Sequence, residues 1–167
     1  MDLIILGAGG HGRVVADIAR QTRRYVNISF LDDNSELAIG PCSDFVHYVG
    51  QDVEMYPAFG NNESRVKWEE KLKDCGITLA TIIHPLAYIS PEAKIVSGSV
   101  FMPYSIVNTG CVIKKACIIN CGAIVDHDCV LEDGCHMAPG ATVKGGNILP
   151  KFTKVDSGEV VERDSIK

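Results

Sequence analysis

The chain has 167 residues, 46% hydrophobic and 22% charged, which is the composition of a globular protein with one large or two small domains. Its 16 lysines and arginines against 21 aspartates and glutamates give a net charge of −5 with no basic run, which argues against a nucleic-acid partner. The longest apolar runs are far shorter than the roughly 18 residues of a membrane span, and Asp2 is unlike the start of a signal peptide, so we expect a soluble, cytoplasmic protein without membrane association.

The chain contains seven cysteines. None are spaced as a C-x-x-C pair, and no cysteine and histidine spacing would close a zinc site. We therefore predict no metal and interpret the cysteines as reduced, small, semi-apolar side chains.

The first elements along the chain are a strand, a glycine-rich turn and a helix. An apolar run over residues 3–6 leads into the turn, and helical spacing of apolar residues follows it. A second strand over residues 26–31 ends in two acids. This order predicts a nucleotide site, because glycines let phosphate approach the backbone at a helix N-terminus and an acid there can reach a ribose or base. The predicted binding residues are Gly7, Gly9, Gly10, His11, Gly12, Asp32 and Asp33. The alternative is a tight turn that needs glycine for its backbone, beside solvated acids.

The rest of the first 83 residues is less regular. We predict a loop over 34–44, short strands at 48–49 and 57–59, a helix over 64–75 and a last strand over 81–83. About eighty residues are roughly half of a full dinucleotide domain. A single nucleotide or a nucleotide sugar therefore fits better than NAD.

From Ile89 to Val161 an aliphatic residue, Met or Phe recurs at every sixth position. A small residue follows most of these four positions later, and glycine occurs at every twelfth position from Gly98 to Gly158. A period of six is the signature of a hexapeptide parallel β-helix, with large residues in the interior and small ones at the corners. Three hexapeptides form a triangular coil, so residues eighteen apart stack at about 4.8 Å.

The two patterns predict two domains, over residues 1–83 and 84–167, with the boundary at His84 and Pro85. The first is predicted to be an α/β, Rossmann-like domain that fits a nucleotide or nucleotide sugar, and the second a parallel β-helix; the acyltransferase function of the second is implied only by the resemblance described next. A solenoid of a little over four coils has open ends and apolar surface, which favours oligomerisation.

The chain resembles the family of sialic acid O-acetyltransferases and UDP-amino-sugar N-acetyltransferases. The resemblance rests on residues 6–12, the strand end at 30–33, the segment 83–85 and residues 120–145. It implies a small Rossmann-like domain followed by a left-handed β-helix, assembled as a homotrimer that binds acetyl-CoA between subunits. It also implies acetyl transfer from acetyl-CoA to the amine of a nucleotide-activated amino sugar in glycan biosynthesis.

The resemblance also implies roles for five residues of the β-helix. His127 would be the general base and Asp128 would orient it. Asn120 would lie near the acceptor sugar, His136 would contact the thioester end of acetyl-CoA, and the backbone N–H of Gly145 would face the developing oxyanion. The spacing supports one part independently, because Gly145 follows His127 by eighteen residues and should stack on it.

One departure from the family concerns the C-terminal part. Relatives carry further hexapeptides beyond the level of Gly145, and about one coil is missing here, which predicts fewer contacts to the adenine and pantetheine arm.

Two alternatives remain open from the sequence. One is O-acetylation of a sialic-acid-like sugar, because a histidine base can deprotonate an amine or a hydroxyl. The other is a nucleotide-sugar-binding trimer with little or no catalysis. The sequence does not identify the sugar, the nucleotide or the pathway.

Overall fold

A computed structural model of the chain describes residues 1–163. It divides the chain into two compact units, Met1–Ile82 and a second that begins at Ile83. The end of the predicted second domain, residue 167, lies outside the described residues. Neither of the two α-helices found between residues 1 and 163 is long and apolar enough to cross a bilayer.

The first unit is built on a parallel four-stranded sheet. In chain order its elements are β1 (Asp2–Leu6), α1 (Gly10–Thr22), β2 (Ile28–Leu31), a 3₁₀ helix (Cys42–Tyr48), β3 (Val53–Pro57), α2 (Asn62–Asp74) and β4 (Thr78–Leu79). The strand order is β2-β1-β3-β4, so the carboxyl ends of all four strands lie at one edge. Ile4, Leu6, Leu31, Met55 and Leu72 form the buried core beneath the helices.

Two short strands of the sequence prediction are wrong. Tyr48 ends the 3₁₀ helix instead of opening a strand, and the strand expected over residues 57–59 instead runs over Val53–Pro57. The pattern concealed β3 because Glu54 interrupts its apolar run. Glu54 is buried, and it accepts hydrogen bonds from the guanidinium of Arg24 and, at 2.7 Å, from the hydroxyl of Tyr25. These partners compensate its negative charge inside the fold.

The second unit is a left-handed parallel β-helix of two-residue strands. These are β5 (Ile82–Ile83), which spans the boundary, β6 (Tyr88–Ile89), β7 (Lys94–Ile95), β8 (Val100–Phe101), β9 (Ile106–Val107), β10 (Val112–Ile113), β11 (Ile118–Ile119), β12 (Ile124–Val125), β13 (Val130–Leu131), β14 (His136–Met137), β15 (Thr142–Val143), β16 (Ile148–Leu149), β17 (Lys154–Val155) and β18 (Val160–Val161).

The strands stack into three sheets, one for each side of a triangular coil. Sheet I has the order β16-β13-β10-β7, sheet II has β17-β14-β11-β8-β5, and sheet III has β18-β15-β12-β9-β6. All pairs are parallel, and each residue pairs with the one eighteen positions away. The second residue of each strand points inward, and from Phe101 to Val161 every one of these is buried. The period of six is confirmed as the repeat of one side of the coil, and three repeats complete a coil.

The turns between strands share one backbone feature. Every sixth residue from Gly98 to Gly158 has a positive φ. Six of these eleven positions are the glycines seen at every twelfth residue. The five between them are Gly140 and four other residues with φ between 56° and 64°, namely Tyr104, Ala116, Asp128 and Phe152. The left-handed conformation is therefore imposed by the coil and is adopted even by residues that disfavour it.

Small polar side chains close two of the three corners. At corner I–II, Ser99, Cys117 and Cys135 each donate to the backbone carbonyl fifteen residues later, at 3.1 to 3.3 Å. At corner III–I the same bond is made by Cys111, Cys129 and Asn147, at 3.0 to 3.3 Å. Four of the seven cysteines are thus explained as buried corner donors.

Candidate active site

The glycine turn of the first unit connects β1 to α1 at the carboxyl edge of the sheet. Gly7 has φ +99° and donates its N–H to the carbonyl of Leu31. A Cβ at Gly12 would lie 1.9 Å from the carbonyl oxygen of Gly7, so only glycine fits there. No atom lies within 4 Å of a Cβ built at Gly9 or Gly10. The N-terminus of α1 therefore faces open space, which is the arrangement that accepts a phosphate.

The two acids after β2 hold the loops at this edge in place. Asp32 accepts the N–H of Ala8 at 2.7 Å and that of Asn34 at 2.8 Å, and these bonds, the first above all, hold the pKa of its carboxyl below the ordinary value. Asp33 accepts the N–H of Cys42 at 2.9 Å. Each acid is thus engaged with the backbone, in addition to the ribose or base contact that the sequence predicts.

His11 lies in the first turn of α1, where its ring is half-buried and 6.2 Å from the ring of Tyr56. A cavity of about 310 Å³ lies at the opposite, amino end of the strands, against Leu3, Asn27, Ser29 and Val53. No residue of the predicted nucleotide site lines this cavity.

In the second unit, His127 lies in the turn between β12 and β13, at corner III–I. Its Nδ1 is 2.9 Å from Oδ2 of Asp128, which leaves Nε2 available to accept a proton. Asp128 has φ +58°, and the left-handed backbone of this turn directs its carboxylate back to the ring. A Cβ at Gly110 would meet the Asp128 carboxylate at 2.3 Å, so the bare backbone one coil below makes room for it.

The imidazole of His127 is exposed and lies among charged side chains. The hydrogen bond to Asp128 raises its pKa, and so does the negative charge of Asp126. Arg163, two coils farther along, acts in the opposite direction. The balance raises the pKa of His127 above its ordinary value of 6.5, which makes the deprotonated ring a stronger base.

Asp126 also lies at this candidate site, although the sequence alone assigns it no role. Its Oδ1 accepts the N–H of His127 at 2.8 Å and the side-chain amide of Asn108 at 3.0 Å. These two bonds, with a smaller contribution from the N–H of Gly145, hold the pKa of Asp126 low. The signal available in the sequence was the spacing, because Asn108 and Asp126 are eighteen residues apart and must stack.

Asn120 and His136 form a second group. Asn120 lies in the turn between β11 and β12, at corner II–III, and His136 opens β14 on the outer surface of sheet II. The amide nitrogen of Asn120 is 3.4 Å from Nε2 of His136. The structure thus brings together His127 with Asp128 and Gly145 at one corner, and Asn120 with His136 at the next, with the width of sheet III between them in one copy of the chain.

Among residues 1–163, no cluster of three or more His, Cys, Asp or Glu could hold a metal ion.

The chain is similar to proteins of known structure along almost its whole length. Residues 2–72 match the family described as PglD N-terminal domain. The acetyltransferase domain of PglB from Neisseria gonorrhoeae is 34% identical, with a TM-score of 0.86 over 99% of this chain and 93% of that chain. The same domain in complex with acetyl coenzyme A is 35% identical, with a TM-score of 0.79 over 95% and 86%.

A third structure is a histidine-to-asparagine mutant of perosamine N-acetyltransferase from Caulobacter crescentus, in complex with CoA and GDP-perosamine. It is 28% identical to this chain, with a TM-score of 0.87 over 98% of this chain and 90% of that chain.

Proposed function

The chain belongs to the family of hexapeptide-repeat sugar acetyltransferases that carry a PglD N-terminal domain, and it is an acetyl-CoA-dependent enzyme. From this premise we propose that it transfers the acetyl group directly to the amine of a nucleotide-activated amino sugar, with His127 as the general base. The observation that carries the proposal is the geometry of His127. Its Nδ1 is held by Asp128, and its Nε2, which has no hydrogen-bond partner among residues 1–163, lies over the backbone of Gly145, a residue without a side chain to oppose a thioester.

The proposed reaction is one displacement at the thioester carbonyl. The acceptor first loses one proton of its ammonium form to solvent. The neutral amine then attacks the carbonyl carbon while Nε2 of His127 removes a second proton from the nitrogen. The tetrahedral oxyanion is stabilised by the N–H of Gly145, and it collapses with loss of the CoA thiolate, which is then protonated. A positioned base typically contributes roughly 10²–10⁴-fold, and a backbone donor acts without reorganisation. No cysteine nucleophile is required.

The charges around His127 support an amine as the acceptor. Asp126 and Asp128 both lie beside the base, so the site has a negative potential. That potential attracts an amino sugar, which enters as an ammonium ion, and it opposes a sialic-acid-like sugar, which carries a carboxylate. The related perosamine enzyme was crystallised with a nucleotide-linked amino sugar, GDP-perosamine. O-acetylation is accordingly the less favoured alternative.

We assign the nucleotide part of the acceptor to the glycine turn. The open space at Gly9 and Gly10, directly before α1, suits the diphosphate. Asp32 and Asp33 hold the loops around it and remain the proposed contacts to the ribose or base. His136 and Asn120 are proposed to contact acetyl-CoA and the acceptor sugar, respectively.

We propose that the active assembly is a homotrimer. The corner with His127 and the corner with Asn120 and His136 are at opposite edges of sheet III, so a single copy does not surround one substrate with both groups. The outward residues of sheets I and III, which flank the His127 corner, are largely aliphatic: Ile106, Val112, Ile124, Val130, Ile148 and Val160. Packing another copy against these sheets would bury them and complete the site. A cytoplasmic location fits the thiol donors at the corners, which a reducing compartment preserves.

An acetyl-transfer assay with a panel of GDP-, UDP- and CMP-linked sugars tests the proposal. Acetylation of amino sugars alone is expected. Transfer to a hydroxyl of a CMP-linked sialic-acid-like sugar would instead favour the O-acetyltransferase alternative. Calorimetric titration with acetyl-CoA tests the non-catalytic alternative, because that alternative predicts no binding of acetyl-CoA near millimolar concentration.

A further inference from the structure

The turn that carries His127 is held by two kinds of hydrogen bond. Asp126 and Asp128 donate their N–H groups to the carbonyls of Val143 and Thr109 in the neighbouring coils, and the carbonyl of His127 accepts from Gly146. The N–H of His127 has its partner in the turn itself, because it donates to the Asp126 carboxylate at 2.8 Å. Asp126 is held in turn by the amide of Asn108, at 3.0 Å. The backbone of His127 is thus held by the side chain of the residue that precedes it.

Another turn shows what this local hydrogen bond requires. At the preceding corner Asn120 accepts the N–H of Cys121, also at 2.8 Å, in the same relation of one residue to the next. A neutral amide oxygen is therefore sufficient for the backbone geometry. The negative charge of Asp126 exceeds what the turn needs, and it lies within electrostatic reach of the imidazole.

We propose that Asp126 is a positioning residue of the acetyl-transfer site, which holds the backbone of His127 together with Asn108 and supplies a second negative charge to stabilise the imidazolium. The inference rests on the proposed role of His127 as base. As the base takes the acceptor proton its ring becomes positive, and a fixed charge beside it stabilises that state without movement. Asp128 acts on the ring through Nδ1, whereas Asp126 acts through the main chain and through space.

The charged groups that act on the pKa of His127 are Asp126 and Asp128 from its own turn and Arg163 from two coils away. Lys144, the residue before Gly145 in the next coil, forms an ion pair with Glu162. Both aspartates raise the pKa of His127 and the guanidinium lowers it. Removal of the Asp126 charge must therefore lower the pKa of His127, while Asp128 and Arg163 remain.

The test separates charge from position. Asp126→Asn keeps an oxygen for the His127 N–H, as Asn120 shows, and removes the charge. Asn108→Ala keeps the charge and removes one bond that holds it. The pKa of His127 is measured by NMR titration of its ring protons, assigned with His127→Ala, and kcat and KM are measured across pH. Asp17→Asn, an exposed acid of α1, is the charge-matched control.

We expect Asp126→Asn to lower the His127 pKa and to reduce kcat roughly tenfold, less than removal of the base would, with KM for both substrates little changed. Asn108→Ala should reduce kcat severalfold and leave the pKa high. An unchanged His127 pKa in folded Asp126→Asn overturns the electrostatic role, and an unchanged kcat in Asn108→Ala overturns the positioning role. If His127→Ala itself retains activity, the proposed base is wrong, yet the NMR titration still decides whether Asp126 acts on this histidine.

Discussion

The imidazole of His127 lies against the backbone of Gly145, the residue stacked on it in the next coil. A Cβ at position 145 would come within 2.6 Å of Nε2 and 2.7 Å of Cε1. These distances are shorter than any real Cβ contact, so the position of the ring depends on glycine having no side chain. The absence of a Cβ at residue 145 therefore determines the position of Nε2, the atom that is proposed to receive the proton.

Gly145→Ala should accordingly displace the His127 ring and disturb its bond to Asp128. Because φ at Gly145 is not in the left-handed region, the backbone tolerates alanine and the thermal stability should change little. We expect kcat to fall by roughly 10²-fold, as for loss of a positioned base or oxyanion donor. In a His127→Ala background the same substitution should have almost no further effect. Independent, additive losses in the double variant would contradict this coupling.

His127→Ala should lower kcat at pH 7 by roughly 10²–10⁴-fold with little effect on ligand binding. The base is active when deprotonated, so the rate should rise with pH through the pKa of His127, which lies above its ordinary 6.5 because of Asp128 and Asp126. Asp128→Asn should move this acidic limb to lower pH and cause a smaller loss. Pre-steady-state rates of acetyl transfer, measured across pH, give both the position of the acidic limb and the size of the loss. Retention of more than about a tenth of wild-type kcat by His127→Ala would refute the assignment.

Mixing two impaired variants tests the proposed shared site. If His127 of one copy acts with His136 of another, co-expression of His127→Ala and His136→Ala should regenerate about a quarter of the sites in randomly assorted closed trimers. Differently tagged subunits allow purification of the mixed assembly, and light scattering should give the mass of a homotrimer. Without regenerated activity, both histidines act within one copy or the second is not required.

Gly9→Val tests the phosphate position. The space around Gly9 is open and its φ of −69° is ordinary, so valine should fold there and occupy the place proposed for the diphosphate. We expect weaker binding of the nucleotide sugar in calorimetry and unchanged binding of acetyl-CoA. Gly60→Val is the matched control, because a Cβ there also meets no atom within 4 Å. Equal losses for both ligands, with an intact circular dichroism spectrum, would disprove the separation of the two sites.

The corner thiols make a prediction about stability. Cys135 is buried and donates to the carbonyl of Pro150, which also accepts from the N–H and the hydroxyl of Thr153. Cys135→Ala removes the bond that ties this carbonyl to the neighbouring coil and should cost about 1 kcal/mol of unfolding free energy. Cys135→Ser retains a donor and should cost less. Ser105→Ala is the control, because the buried hydroxyl of Ser105 has no partner among the described residues. Denaturant titration gives all three values, and equal stability of Cys135→Ala and wild type would contradict the role.

The sequence predicts the β-helix well because its period is a direct consequence of the coil. Each interior position, such as Val125 and Val143, is repeated every six residues, and the stacking of His127 on Gly145 follows by counting eighteen. The same count places His136 half a coil from His127, on another side of the triangle. The sequence alone therefore predicts that the two groups of candidate site residues lie on different sides of the coil.

Other features depend on contacts that the period does not contain. Glycine at every twelfth residue indicates only half of the left-handed turns, because the coil imposes the same backbone on Asp128. The carboxylates of Asp32 and Asp33 bind main-chain N–H groups, which no side-chain pattern reveals. Strand β3 was misplaced because a buried ion pair allows Glu54 inside an apolar run.

The uniform pairing of each strand with the strand eighteen residues away limits how this domain can change length. Insertion or deletion of a whole coil keeps the eighteen-residue spacing between paired strands and changes only which coils are adjacent at that point. Loss of a single residue in a two-residue strand would instead turn interior side chains outward in all later coils. Whole coils are therefore the unit in which such a domain can be shortened or extended. An additional coil would add another layer of outward side chains to each sheet without disturbing the turn that holds His127.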